Sequence, residues 1–263
     1  VGASTNRRYL LPEYKTGRNL TRITNWDIFD SIDDENDAKV DQIIRLIQYL
    51  KCLPVKVVSI DKVEADDIIA YMSKDMAKRF NTKSYIVSSD RDFLQLVDDN
   101  VTVYRPIERE FYDPKTVKEK FGIIPQNFIH YKVLVGDASD KVPGVKGLGK
   151  KGVLKRFPEL ADNELEFDQL FEISEQKLKD SVVYARVIQD WDKLLNTRKI
   201  MDLSTPMLSE EEKQDLSQLP LEPLNELRIL EFMSLYNEDG MAHIIKNTEF
   251  WLKDTFTRLT YDT

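Results

Sequence analysis

Ala65, Ile68, Ile69, Met72, Met76 and Phe80 recur at the spacing that gathers apolar side chains on one face of a helix. On either side stand short apolar runs, Val55-Lys56-Val57-Val58-Ser59-Ile60 and Tyr85-Ile86-Val87-Ser88, which read as strands. Strand, helix, strand is the crossover that joins parallel strands. Upstream, Val40, Ile43, Ile44, Ile47 and Leu50 mark the buried face of another helix, entered through the acidic stretch from Asp27 to Asp41. Downstream, Val101-Thr102-Val103-Tyr104 reads as a further strand. Asp113-Pro114 then supplies an N-cap with proline in the first helical position, and Gly122 the stop. A helix is expected from Pro125 to Val135, ended by Gly136-Asp137-Ala138-Ser139-Asp140. The later chain reads as helical and acidic, with a helix start at Ser209-Glu210-Glu211-Glu212. The pattern predicts an α/β fold with a mostly parallel central sheet flanked by helices. Its expected division is 1–135, the α/β core, and 136–263, a helical remainder.

Each run of the crossover leads into an acidic cluster, Glu64-Ala65-Asp66-Asp67 after the first and Asp90-Arg91-Asp92 after the second. Parallel strands would bring both to one carboxyl edge, where open α/β sheets place their ligands. Like charges so close raise each other's pKa unless a proton or a metal neutralises them. Oxygen ligands without Cys or His suit Mg²⁺ or Mn²⁺. Asp137 and Asp140 stand three apart, so in one helical turn both would project the same way and complete the site.

Composition qualifies this picture. The formal net charge is −8, which taken alone argues against a polyanionic partner. The cations are nevertheless segregated: Arg7, Arg8, Lys15, Arg18 and Arg22 at the front, and Lys141, Lys146, Lys150, Lys151, Lys155 and Arg156 after the second Asp pair. Tyr9 to Arg18 interleaves aromatics with cations, a combination suited to single-stranded nucleic acid. Pro143-Gly144-Val145-Lys146-Gly147-Leu148-Gly149-Lys150-Lys151-Gly152 reads as a tight turn with Val145 and Leu148 packed beneath it. Backbone amides beside lysines make a concavity for phosphates. The single cysteine, Cys52, excludes an intramolecular disulfide framework and reads as a core residue. No apolar run approaches the length needed to cross a bilayer, so no membrane partner is expected. His130 and His243 have no spaced partners and read as structural.

Val63-Glu64-Ala65-Asp66-Asp67, Ser88-Ser89-Asp90-Arg91-Asp92, Gly136-Asp137 with Asp140, and Gly144-Val145-Lys146-Gly147-Leu148-Gly149 stand in the order typical of the 5′-nuclease family. The chain resembles the flap endonucleases and 5′-3′ exonucleases of bacteriophages and the 5′-nuclease domain of bacterial DNA polymerase I. The resemblance implies a PIN-like nuclease fold carrying a helix-hairpin-helix variant, and Mg²⁺-dependent hydrolysis of 5′ flaps or RNA primers during DNA replication. It implies metal ligation by Glu64, Asp66, Asp67, Asp90, Asp92, Asp137 and Asp140, with Lys15 and Arg18 on the scissile phosphate. Tyr14 would stack on a base and Arg22 would lie along the DNA. Gly144, Lys146, Gly147, Gly149, Lys150 and Lys151 would grip the duplex backbone, with K⁺ held by the turn at Val145 and Leu148. Branched or 5′-ended DNA and RNA–DNA hybrids are the implied partners, in the cytoplasm of a bacterium or of a virus's bacterial host. The family's first strand and its two early Asp residues are not found before Arg7, so the expected fold lacks its first strand. The expectations are upstream sequence that has been removed, or a separate chain supplying that strand; a non-catalytic fragment that binds branched DNA is the alternative function. A phosphatase built on Asp90 and Asp92 would leave the glycine turn unexplained.

Overall fold

The alternating apolar positions build a three-stranded sheet. β1 (Ser84–Val87) and β2 (Val101–Arg105) run parallel, with Ser84 opposite Val101 and Val87 opposite Tyr104, and β3 (Glu110–Tyr112) pairs antiparallel with β2. Ile86, Val101, Val103 and Tyr112 face the core, while Tyr85, Val87 and Phe111 face outward. The sheet is therefore mixed, where a mostly parallel one was expected. The run from Val55 to Ile60 is not a strand. A strand persists through a ladder partner for its backbone, and none of the described strands pairs with it. The Val55 carbonyl instead accepts from the Asn225 amide at 3.0 Å, and Val57 is exposed.

The computed structural model describes residues 5–16 and 23–257. Its helices in chain order are α1 (Thr5–Leu10), α2 (Ile32–Lys51), α3 (Ala65–Arg79), α4 (Pro114–Phe121), α5 (Phe128–Val135), α6 (Lys150–Arg156), α7 (Gln169–Gln176), α8 (Val182–Gln189), α9 (Trp191–Met201), α10 (Glu210–Gln218), α11 (Ile229–Glu238) and α12 (Thr248–Phe256). Two compact units result: Val1–Thr16 with Ile60–Ser217, and Gly17–Ser59 with Gln218–Thr263. The division expected at 135/136 lies inside the first of them.

In the first unit, one core runs from Phe93, Leu94 and Leu96 through Val117, Phe128 and Leu134 to Val153 and Leu170. α4 forms as its ends dictate. Asp113 accepts the Thr116 N–H at 2.7 Å, and Gly122 closes the helix in the left-handed region at φ +69°. α5 carries a single lysine among apolar residues and leads directly into β4 (Gly136–Asp137), which pairs with β5 (Val142–Pro143). This two-stranded ribbon replaces the helical turn expected around Asp137 and Asp140. Gly136, at φ +74°, and Gly144 are fixed by close approach: a Cβ on Gly136 would lie 2.3 Å from the Gly144 nitrogen, and one on Gly144 2.2 Å from the Val135 carbonyl carbon.

The second unit has a small core of Cys52, Leu53, Phe232, Tyr236 and Leu252. α2 forms with Ser31 as N-cap, but Val40, Ile43 and Ile44 are exposed and do not form the buried face the spacing predicts. The core of this unit engages the helix only near its end, from Tyr49 and Leu50 onward.

Candidate metal centre

The first turn of α3 sets out one part of the site. Glu64 is its N-cap residue, with extended backbone, and Asp66 and Asp67 follow inside the turn, where helix N-termini favour negative charge. One helical step separates the two aspartates and turns them to different surroundings. Asp67 is buried and accepts two hydrogen bonds from the Arg7 guanidinium, at 2.5 and 2.9 Å, and a third from the Met207 N–H at 2.9 Å. Arg7 spends its Nε on the Ile200 carbonyl. Asp67 is thus committed to a buried ion pair, so the ligand role the resemblance gives it meets a carboxylate already bound to a cation. Asp66 stays half-buried and makes no hydrogen bond among the described residues. Burial pushes its pKa up, the charges of Asp90 and Glu64 add to the rise, Lys15 and Arg7 oppose it, and the result is about 6.

Glu64 is buried and takes the Lys15 ammonium at 2.6 Å, the Tyr14 hydroxyl at 3.2 Å and the edge of Arg7 at 3.4 Å. Lys15 is held in the left-handed region at φ +52°, and its N–H donates to the Asp140 carbonyl at 3.1 Å. That bond ties the front segment to the β4–β5 turn, and Lys141 repeats the tie by donating to the Thr16 hydroxyl. The position of Tyr14 corrects the stacking role expected of it. Its ring is buried in the core, with the Lys15 ammonium 5.0 Å from the centroid, so no face is presented to a base. Arg18 and Arg22 lie outside the described residues.

Asp90 and Asp92 occupy the turn after β1, where Asp90 accepts the Asp92 N–H and Asp92 opens a short 3₁₀ segment, Asp92–Leu96. Lys132 of α5 bridges Asp92, at 2.6 Å, to Asp137, at 2.9 Å. Burial raises the Asp92 pKa against the pull of Lys132. Asp137 also feels burial, but hydrogen bonds from Ser139 and Lys132 together outweigh it and bring its pKa down to about 2. Lys132 answers with a raised pKa, because the two carboxylates outweigh its own burial.

Two of the residues that organise the site are silent in the motifs. Lys132 had a signal, as the only formally charged residue in the apolar run Phe128–Val135. Arg105 had none: from the end of β2 it donates to the Ser89 carbonyl at 2.8 Å, just before Asp90. Among the described residues no three carboxylates gather closely enough to surround a metal ion. The donor set still suits a hard divalent cation. It is all oxygen, and Asp66 carries a pKa raised first by burial and then by the neighbouring Asp90 and Glu64 carboxylates, a combination that a bound cation would relieve. Of the carboxylates the resemblance names, Glu64, Asp67, Asp92 and Asp137 are ion-paired with Lys15, Arg7 or Lys132, while Asp66 and Asp90 make no ion pair among the described residues.

Residues 2–122 match the model of the 5′-3′ exonuclease N-terminal, resolvase-like domain. Over these residues the chain is similar to the 5′-3′ exonuclease family. It is 32% identical over 189 residues to DNA polymerase I of Bacillus subtilis, a match covering 69% of this chain and 19% of that protein. With the 5′-3′ exonuclease of Buchnera aphidicola it shares 32% identity over 145 residues, 55% of this chain and 50% of the relative. The chain thus spans half or less of these relatives. The solved structure of T5 5′-exonuclease with bound zinc ions superposes with a TM-score of 0.67 at 21% identity, covering 84% of this chain and 81% of that one. A T5 flap endonuclease complexed with DNA and metal ions gives 0.66 over 84% and 80%. The fold of this chain is therefore the resolvase-like 5′-nuclease fold. Among its described residues no helix is long and apolar enough to cross a membrane.

Proposed function

We propose that the chain is a Mg²⁺-dependent, structure-specific 5′ nuclease that hydrolyses phosphodiesters in 5′ flaps or RNA primers during DNA replication in a bacterium or its virus. The observation that carries this reading is the convergence, within one compact unit, of Lys15 from the front segment, the α3 and β1 carboxylates, and the turn bearing Asp137 and Asp140, tied together by the Lys15–Asp140 backbone bond. The metal ions and DNA bound to the T5 enzymes support it as an analogy of fold.

Glu64, Asp66, Asp90, Asp92, Asp137 and Asp140 would hold the divalent ions. Bound there, such ions activate water and neutralise charge on the phosphate. The chain's own residues supply the rest. Lys15 is at hand as a phosphate contact once it leaves Glu64, and Arg18 is assigned the same role by family resemblance. Arg7 keeps Asp67 and the α3 terminus in place. The glycine turn offers Lys146, Lys150 and Lys151, all exposed, to a duplex backbone. Branched or 5′-ended DNA and RNA–DNA hybrids are the substrates this arrangement favours.

The test is cleavage of a labelled 5′-flap duplex and of an RNA–DNA hybrid by the purified chain. Products should appear with Mg²⁺ or Mn²⁺ and vanish with chelator. No product with either metal would refute the reading for this chain.

A further inference from the structure

The glycine turn is where the chain's own geometry departs from the expectation of a bound potassium ion. A monovalent cation at such a turn needs several backbone oxygens to replace its water shell. Here the Val145 carbonyl already accepts the Leu148 N–H at 3.0 Å, and the Gly149 carbonyl accepts the N–H groups of Gly152 and Val153. The Lys146 carbonyl, at the crest, accepts Nη1 of Arg186 at 2.8 Å. Arg186 projects from α8, which is anchored by the buried Val183, Tyr184 and Val187 and by the Tyr184 hydroxyl on the Arg156 carbonyl. Gly147 completes the seat. It lies at φ +83°, and a Cβ there would stand 2.9 Å from the same Nη1. Glycine at 147 thus answers the left-handed backbone, and leaves the end of the Arg186 side chain undisplaced.

We infer that Arg186 is a positioning residue that supplies, from within the chain, the positive charge on the crest of the glycine turn, so that grip on a duplex needs no potassium ion. A guanidinium suits the task because it stays charged and its donors have fixed directions. Unlike an ion, it cannot leave, and it adds its charge to those of Lys146, Lys150 and Lys151 facing a phosphate backbone. The inference about grip rests on the proposed duplex-binding function; the inference about what occupies the turn does not.

Two measurements separate these parts. In the first, affinity for a 5′-flap duplex is measured in KCl, NaCl and tetramethylammonium chloride at one ionic strength, without divalent metal, for the wild type and Arg186→Met. Matched ionic strength holds the counterion-release effect constant. The wild type should bind alike in all three salts. Arg186→Met should bind about tenfold more weakly in the tetramethylammonium salt, as expected for losing a charge-assisted hydrogen bond, and should recover in KCl. Arg186→Lys, which keeps the charge, should fall between them. A wild type that loses affinity when potassium is withdrawn, or an Arg186→Met equal to wild type in every salt, would overturn the inference. The second measurement is thallium(I) NMR on DNA-free protein, with Tl⁺ standing in for K⁺. Line broadening should appear with Arg186→Met and not with the wild type. Broadening with the wild type shows the turn open to an ion and overturns the inference, even if the variant fails to fold. If the wild type binds no duplex in any salt, the duplex-binding reading falls, and the thallium result still decides what occupies the turn.

Discussion

Asp66 and Asp67 are adjacent in one helical turn, yet one is an anchor and the other is not. Asp67 is 1% exposed and shares three hydrogen bonds with Arg7 and Met207, while Asp66 has none among the described residues and a pKa raised to about 6. The difference follows from the 100° rotation between successive helical residues, which turns one carboxylate onto Arg7 and the Met207 N–H and leaves the other half-buried without such partners. It teaches that an acidic cluster is not one object. Part of it is tied to a buried cation and fixes the fold, while Asp66 is left half-buried beside other carboxylates, with its pKa raised.

The largest expected effect comes from breaking the anchor. Arg7→Met leaves Asp67 buried without its cation and should cost about 3–5 kcal/mol, the range for removing one partner of a buried pair, read as a lowered urea midpoint. A loss within experimental error would show that Asp67 is not an anchor. The open side should respond in the opposite sense. Asp66→Asn and Asp90→Asn remove repelling charge, so stability should hold or rise slightly. Flap cleavage should fall at least about 100-fold, the upper end for losing even an outer partner of a metal ligand. Full activity in Asp90→Asn would remove that residue from the mechanism. Lys132→Met tests an intermediate case. Asp92 and Asp137 are part-exposed and can recruit water, so the cost should be about 1–3 kcal/mol, and added Mg²⁺ should raise the melting temperature of the variant more than that of the wild type. Equal responses to Mg²⁺ would mean that Lys132 does not stand in for a cation between those carboxylates.

What was legible in the sequence follows the same division. Local rules settled the elements whose signals are local. Asp113, Pro114 and Gly122 bound α4 as read, and Ser209 with Glu212 forms a reciprocal capping box at the start of α10. Val145 and Leu148 are buried beneath the glycine turn as their positions suggest. Where the outcome depends on a partner distant in sequence, reading failed. Val55 to Ile60 has strand composition but no ladder partner among the described strands. The apolar stripe of α2 meets its own core at one end only. Asp137 and Asp140 lie three apart, but the β4–β5 ribbon, in which Gly136 and Gly144 approach too closely for a side chain, and not a helical turn, sets their relation. The Asp67 anchor was illegible for the same reason, because Arg7 lies sixty residues away and nothing local marks it as a partner.

The smallest effect in the series concerns a second titratable residue of α5, and it tests whether the contrast between compensated and uncompensated burial extends beyond the carboxylates. His130 lies two residues before Lys132 and is buried. Its Nε2 lies 2.7 Å from the Leu165 carbonyl, its ring packs edge-on against Phe167, and Nδ1 has no hydrogen-bond partner among the described residues. Lys132 is kept charged by two carboxylates; His130 is kept neutral, since burial lowers its pKa more than the Leu165 contact raises it. The folded pKa therefore lies below the unfolded value near 6.5. Its contribution is complete above that pH and is lost as pH falls from there toward the folded pKa, because the unfolded chain takes up the proton first. One such group gives a slope of at most about 1.4 kcal/mol per pH unit. His130→Gln can keep an N–H donor for Leu165 but has no proton to gain, so its stability relative to wild type should improve as pH drops from 7 to 5. Parallel curves for the two proteins across that interval would show that His130 is not held neutral by its burial.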